Sequence, residues 1–520
     1  MFSYKSTKQL SIFDFRTPFE QKLSPNNRWV KLAQLLDWDA LVAVYARSMS
    51  SDQGAPGIDA RIVLGALIIK HMENKDDRGT IEAIQENPYM QYFVGLDGFT
   101  TERVFDPSLF VYIRKRLSSG LLDEMNQMIM SAALQLDEQK TALEKQGRKQ
   151  KRDDKDNTGT NDSSGSVSTA AETGSSDEPP NKGKLQMDAT VADAYIQYPT
   201  DLNLLNESRE KSEVLIDVLY TQLPIKVKPR TYRRVARKAY LNIAKKKNKS
   251  RKTIRRGIKA QLGYLRRNLN TIDKIVEQYP FALGLLDKAQ YRYLLVIRKV
   301  YDQQLEMYTE QKHQVDHRIV SIHQPHIRPM VRGKEKHKVE FGPKINVSLQ
   351  NGFARIHDIE FEAYNESTRL IAQVEAYRKL NGCYPELVQT DKIYLTRANR
   401  AYLKEHHIRH TGKPLGRAPK EALPPYQKRK QRKEQNERNQ IEGKFGQGKR
   451  AYGLNRIMAK LPETQASWVA SILFVMNILK WSKDIFVRIL NALLNIKFHD
   501  RNQGPSERPS PSTSFNLILN

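Results

Sequence analysis

Apolar residues recur at three- and four-residue intervals through LDWDALVAVYARSM and IDARIVLGALIIKHMENKD, the period of an amphipathic helix. GTIEAIQENPYMQYFVGL continues the pattern as shorter helical segments broken near Pro88. Residues 1–137 are therefore expected to form an all-α N-terminal domain, able to hold a helix-turn-helix and suited to DNA-end binding or dimerisation. From residue 138 to 183 the pattern stops. KQGRKQKRDDKDNTGTNDSSGSVSTAAETGSSDEPPNKGK has nothing to bury and reads as a flexible linker.

Periodicity then changes. LQMDATVADAYIQYP opens with a short apolar run around Asp188 that reads as a strand. GPKINVSLQNGFARIHDIE alternates apolar and polar residues on both sides of Asn351-Gly352, a hairpin signal because both turn residues tolerate positive φ. A helix, ESTRLIAQVEAYRKLNG, and a short strand, ELVQTD, ending at Asp391, follow. A basic helix carries Glu442. The most apolar stretch, 466–479, includes Asn477 and is too short to span a bilayer, so it reads as a buried helix. The tail from 498 to 520 is polar, proline-containing and expected to be loose.

Charge changes the picture most. Formal net charge is +28 with a pI near 9.8, and such an excess of cations attracts polyanions and releases their condensed counterions. The excess concentrates between Asp217 and Asp273, where no Asp or Glu occurs. A single-sign run repels itself unless an anion lies nearby. Arg233, Arg234, Arg237, Lys245, Lys246, Lys247, Arg251, Arg255 and Arg256 are the candidate contacts to a nucleic-acid backbone. The lone cysteine, Cys383, rules out an internal disulfide framework or a cysteine-based zinc site. It fits a reducing cytoplasm, and the start of the chain lacks the apolar core of a secretory signal.

Three carboxylates stand out by setting. Asp188 lies in an apolar strand, Asp391 at the end of another, and Glu442 in a basic helix. A charge in an apolar strand needs compensation, and carboxylates suit Mg²⁺ or Mn²⁺. Two such ions about 3.5–4 Å apart can activate an attacking oxygen and stabilise a leaving one in phosphoryl transfer. On a helix Arg438, Glu442 and Lys449 fall at i, i+4 and i+11, close to one face. With Lys444 and Arg450 they would surround a metal ligand with phosphate-gripping cations. An exposed Arg–Glu ion pair is the plainer account of the same motif. Gly443, Gly446 and Gly448 each lower helix propensity by about 1 kcal/mol and admit a close backbone approach.

These residues carry a resemblance. The 58–96 segment, the first-Asp region LQMDATVADAYIQYPTDLNLLNESREKSEVLID and the glutamate region IEGKFGQGKRAYGLNRI resemble bacterial insertion-sequence transposases of the DDE type, specifically the insertion sequence five group and its relatives. The family signature is Tyr, two residues, Arg, three residues, Glu, six residues, Lys. Arg438, Glu442 and Lys449 match it; Gln435 stands where the tyrosine would be. The family often has Gly-Tyr after the second aspartate, where this chain reads Asp391-Lys392-Ile393-Tyr394. The resemblance implies an α/β fold of mixed α+β character, a ribonuclease H-like sheet over residues 184–497 with a basic helical insertion at about 205–318. It implies Asp188, Asp391 and Glu442 as ligands of two Mg²⁺ (or Mn²⁺) ions, with Arg438 and Lys449 beside the DNA backbone.

The implied activity is cleavage at terminal inverted repeats and strand transfer into target DNA. Double-stranded DNA would be the partner, in a homodimer or larger synaptic complex on the bacterial nucleoid, with no membrane involved. The rivals are a catalytically inactive transposon-derived DNA-binding protein, a nuclease of the same fold that does not join strands, and an RNA-binding structural protein. His313, His317, His323 and His326 could serve zinc or form a hydrogen-bonded polar cluster.

Overall fold

Short polar side chains start the helices that periodicity predicts. Asn27, Asp37, Asp59, Asp76 and Asn87 each accept from first-turn amides. They open α1 (Arg28–Leu35), α2 (Trp38–Ala46), α3 (Ala60–Met72), α4 (Asp77–Glu86) and α5 (Pro88–Phe93), followed by α6 (Leu109–Arg116) and α7 (Ser119–Asp153). Pro88 is not an interruption of one helix but the first residue of another. The computed structural model describes residues 4, 11–12, 14–17, 22–49, 57–153, 179–331, 339–413 and 424–502, with side chains of 137–153 and 492–502 left out. α7 thus runs past residue 137, where the linker was expected to begin. The rest of that linker from 154 to 178, and the tail from 503, lie outside the described residues.

β1 (Lys184–Val191) leads into α8 (Asp201–Gln222), α9 (Arg233–Ala244), α10 (Arg251–Gln278) and α11 (Lys288–Thr309). β2 (Pro329–Val331) and β3 (Val339–Phe341) form a small separate ladder before β4 (Lys344–Gln350) and β5 (Phe353–Glu360). Then come α12 (Leu370–Asn381), β6 (Leu387–Gln389), α13 (Arg397–Glu405), β7 (Arg409–His410), α14 (Pro425–Ala451) and α15 (Pro462–Asn502). The main sheet has five strands in the order β5-β4-β1-β6-β7. β4 runs antiparallel to β1 and β5, while β6 is parallel to β1 and β7 to β6. This is the mixed sheet of a ribonuclease H-like α+β fold. Asn351 and Gly352 take φ of 49° and 83°, making the tight β4–β5 turn that the Asn-Gly pair predicts.

Helices cover both faces of the sheet. Leu185, Met187 and Val388 pack against Leu370 and Val374 of α12. Ile345, Val347 and Leu349 pack against Ile441 and Phe445 of α14 and Ile472 of α15. The helices α8–α11, inserted between β1 and β4, bury a core of their own that includes Leu215, Leu219, Leu265, Ile272 and Ile297. Arg209 of α8, 1% exposed, is held there by Glu213, Asn206 and Gln261. The ends of the insertion meet where Arg318 pairs with Asp201 at 2.5 Å.

The N-terminal helices do not have a separate core. Val63, Leu67, Phe93, Phe110, Leu122 and Met125 share one cluster with Phe353 of β5 and with Phe474, Val475, Ile478 and Trp481 of α15. The cations of Lys70 and Arg114 lie 4.5 and 5.0 Å from the Trp468 ring. Asp77 answers both cations, each at 2.8 Å. Asn477, the polar residue inside the apolar stretch, is fully buried. Its amide donates to Asn126 of α7 at 2.7 Å and to the Ala354 carbonyl at 2.6 Å, and its oxygen accepts from the Ala354 amide at 2.9 Å. Among the described residues no helix is long and apolar enough to cross a membrane.

Candidate active site

The parallel pairing of β1 and β6 sets Gln186 opposite Gln389. Both chains then advance two residues to a carboxylate, Asp188 still within the sheet and Asp391 just beyond the end of β6. Residues two apart on a strand share a face, and that face of β1 is the one α14 covers. Asp188 accepts from the Ala189 amide at 2.8 Å.

On α14, Arg438 lies between the other two carboxylates. Its Nη1 is 2.7 Å from Asp391 Oδ1 and its Nη2 donates to Glu442 Oε1 at 3.0 Å. The Arg–Glu pair is therefore present, and it is more than a pair along one helix because the same guanidinium spans to the sheet. Among the described residues no group of three or more His, Cys, Asp and Glu is drawn together closely enough to hold a metal ion. Asp391 and Glu442 nonetheless converge on a positive charge, and the donor set is all oxygen. That set fits a hard divalent cation, with Arg438 holding the place between two of the carboxylates.

The other cations of α14 have separate jobs. Lys444 is turned inward and donates to the Gly352 carbonyl at 3.1 Å, securing the hairpin turn. Burial, with Lys480 nearby, pushes its pKa down to about 8. Lys449, 19% exposed, is 3.4 Å from Asp193 Oδ2 and 3.2 Å from Glu340 Oε1, so its charge is answered within the protein. Arg450 is exposed. Of these glycines, Gly448 lies close to Leu454 and Met476 and Gly446 close to the Arg450 guanidinium, while a side chain at Gly443 would meet open space. Tyr394, following Asp391, is completely buried and donates to Asn346 at 3.3 Å. Burial and the nearby Glu366 and Asp188 carboxylates raise its pKa.

In the insertion, Arg234, Arg237, Lys245, Lys246, Lys247, Arg251 and Arg256 are exposed along α9, the α9–α10 turn and the start of α10. Arg233 makes a two-pronged contact with Asp217, both arms at 2.9 Å. Arg255 stacks on Tyr308 at 4.4 Å. The histidines are hydrogen-bonded individually: His323 with Tyr293 and Glu207, His326 with Gln465 and His317 with Glu362. Sequence reasoning missed Asp193 and Glu340, which hold Lys449, and the two glutamines. The repeated Gln-x-Asp in LQMD and VQTD was the available signal for the latter.

Residues 388–479 match the family described as Transposase DDE domain, and residues 17–116 match the family described as Transposase domain (DUF772). Both matched segments support the resemblance to DDE transposases of bacterial insertion sequences. The first match takes in Asp391, Arg438, Glu442 and Lys449, while Asp188 lies outside both matched segments. A protein of Rhizobium meliloti described as uncharacterized protein ORF8 in nfe locus is 29% identical over 121 residues. The aligned part is 23% of this chain and spans 58% of the length of that relative. No solved structure matches.

Proposed function

We propose that the protein is a transposase that binds the ends of its own element, cleaves a DNA strand at each end and joins the freed 3′-hydroxyls to target DNA. The observation that carries this reading is the meeting of Asp391, Arg438 and Glu442 at the level of Asp188, on a ribonuclease H-like sheet with an exposed basic helical insertion. Asp188, Asp391 and Glu442 would hold divalent cations, as the family generally does; bound there, such cations supply activation of the attacking oxygen and charge neutralisation at the leaving one. Arg438 then exchanges its carboxylate partners for the phosphate beside the scissile bond, a planar fork suited to that group. The exposed cations of α9 and α10 neutralise flanking phosphates without reading sequence. Cutting two ends together requires at least two copies of the chain.

The test is cleavage of DNA carrying the element's ends, in Mg²⁺ and in Ca²⁺, by the wild type and by Glu442→Gln. The expected result is cleavage by the wild type in Mg²⁺ alone, reduced more than about 10³-fold in the variant with DNA binding retained. Equal binding with no cleavage by either protein overturns the enzyme reading in favour of an inactive DNA-binding descendant. Cleavage without joined products identifies a nuclease.

A further inference from the structure

Apolar packing alone cannot place α14. Of its 27 residues only Glu434, Ile441, Phe445 and Gly448 are buried. Ile441 and Phe445 decide which side of the helix faces the sheet. The hydrophobic effect is non-directional, so their burial does little to oppose sliding along the sheet or a small roll. The site needs both to be settled, because Glu442 and Arg438 ride on this helix while Asp188 and Asp391 belong to the strands.

Two carboxamides supply the direction. Gln186 Nε2 donates to the Glu437 carbonyl at 2.8 Å and to Gln389 Oε1 at 2.9 Å. Gln389 Nε2 donates to the Glu434 carbonyl at 2.6 Å. A helical carbonyl already engaged in its own ladder has a second lone pair to offer. The two side chains are 5% and 0% exposed, so these bonds form away from competing water. Each glutamine lies two residues before a carboxylate: the amides grip the backbone of α14 about one and two turns ahead of Glu442. Lys184 with Glu437 at 2.6 Å and Arg409 with Glu434 at 3.2 Å reinforce the same places, but their Lys184 and Arg409 ends are half-exposed, where salt screens them.

We propose that Gln186 and Gln389 are positioning residues: a coupled carboxamide bridge that sets the place of α14 on the sheet, and through it the separation of Glu442 from Asp188 and Asp391. This rests on the reading of those three carboxylates as cation ligands.

The test uses the full chain with Gln186→Met, Gln389→Met and the double variant, beside Glu442→Gln. Mn²⁺ binding is followed by electron paramagnetic resonance without DNA, and cleavage at saturating DNA in parallel. The methionine variants keep the volume and remove the donors. Both are expected to lose about 10- to 100-fold in Mn²⁺ affinity and in saturating rate, with half-saturation by DNA unchanged. The double variant falls no further than the worse single one, since the two amides act as one unit. That double variant leaves no carboxamide buried beside a lost partner, so it decides the matter if a single variant does not fold. A role in packing alone lowers the urea midpoint of the fold without moving Mn²⁺ affinity. Folded glutamine variants that bind Mn²⁺ and cleave as wild type, while Glu442→Gln loses both, overturn the bridge. Unchanged Mn²⁺ affinity in Glu442→Gln instead overturns the ligand reading on which the bridge rests.

Discussion

The helices before the sheet and the helices inserted within it carry the same amphipathic signature, yet they stand in opposite relations to the body built on the main sheet. α8–α11 close on their own core and return to their starting point, where Arg318 meets Asp201. α1–α7 bury their apolar faces against α15 and β5, and bind them with the cation contacts to the Trp468 ring and the Asn477 hydrogen bonds. A self-contained element can present a dense field of like charge, because none of its packing depends on the surface that carries it. An element that shares its core becomes part of the body it rests on. The basic insertion is thus a separable attachment, whereas the N-terminal helices are a structural part of the body they cover.

Excision gives the largest contrast. Joining residue 200 to residue 319 through a short Gly/Ser bridge is expected to leave a soluble remainder that unfolds cooperatively. Removing residues 1–153 is expected to leave an insoluble chain, because it bares the apolar face of α15. Size-exclusion chromatography and urea melts check both. In titrations over salt, the insertion-less protein should also lose the greater part of its salt dependence on DNA, about 0.9 in log–log slope for each phosphate contact removed. An insoluble insertion-less protein, or a well-folded remainder without the N-terminal helices, would break the comparison.

A smaller effect is expected at one residue of the joint. Asn477→Leu keeps the bulk but abandons the Ala354 amide and the Asn126 oxygen, which should lower stability by about 3 kcal/mol in urea melts. Lys246→Ala on the exposed α9–α10 turn should change it by less than about 0.5 kcal/mol.

The joint also responds to acid. His357 of β5 lines a cavity of about 250 Å³ with Ser119, Asp123 and Asn126 of α7 and Ala470 and Phe474 of α15. Burial, with Arg355 nearby, pushes its pKa down to about 3. His71, fully buried against Trp468, is also held well below its ordinary value by burial and then by Lys70 and Arg114. The folded protein keeps both imidazoles neutral while the unfolded chain takes up protons near 6.5. Their contribution is therefore complete above that pH and declines as pH falls through the window down to about 3. For His357 the loss at pH 5 is about 2 kcal/mol. Urea melts at pH 7 and pH 5 should show it, and His357→Gln should flatten that part of the dependence.

Much of the architecture was legible along the chain. The N-terminal helices, the strand around Asp188, the Asn-Gly hairpin, the short strand before Asp391 and the helix carrying Glu442 all follow from local periods and turn chemistry. Of the candidate site, Asp391, Arg438 and Glu442 stand out in the sequence and do meet in the fold. The partners of the cations were not legible: Lys444 and Lys449 look like the other lysines around Glu442, and only the fold sets one under the hairpin turn and the other beside Asp193 and Glu340. Asn477 was seen only as a blemish in an apolar run. The boundary expected at residue 137 was a change of composition, and α7 continues across it.

By itself, then, the sequence determined which segments are helix, which are strand, where the positive charge collects and which acidic residues stand in unusual settings. Each of these depends on neighbours a few positions away. Tertiary structure alone decided that the N-terminal helices share a core with α15, that Lys449 answers an aspartate 256 residues distant, and that paired glutamines anchor α14 to the strands. Such outcomes depend on the meeting of segments far apart in the chain, where a hydrogen bond or an ion pair is won or lost over a fraction of an ångström, and no local pattern records that distance.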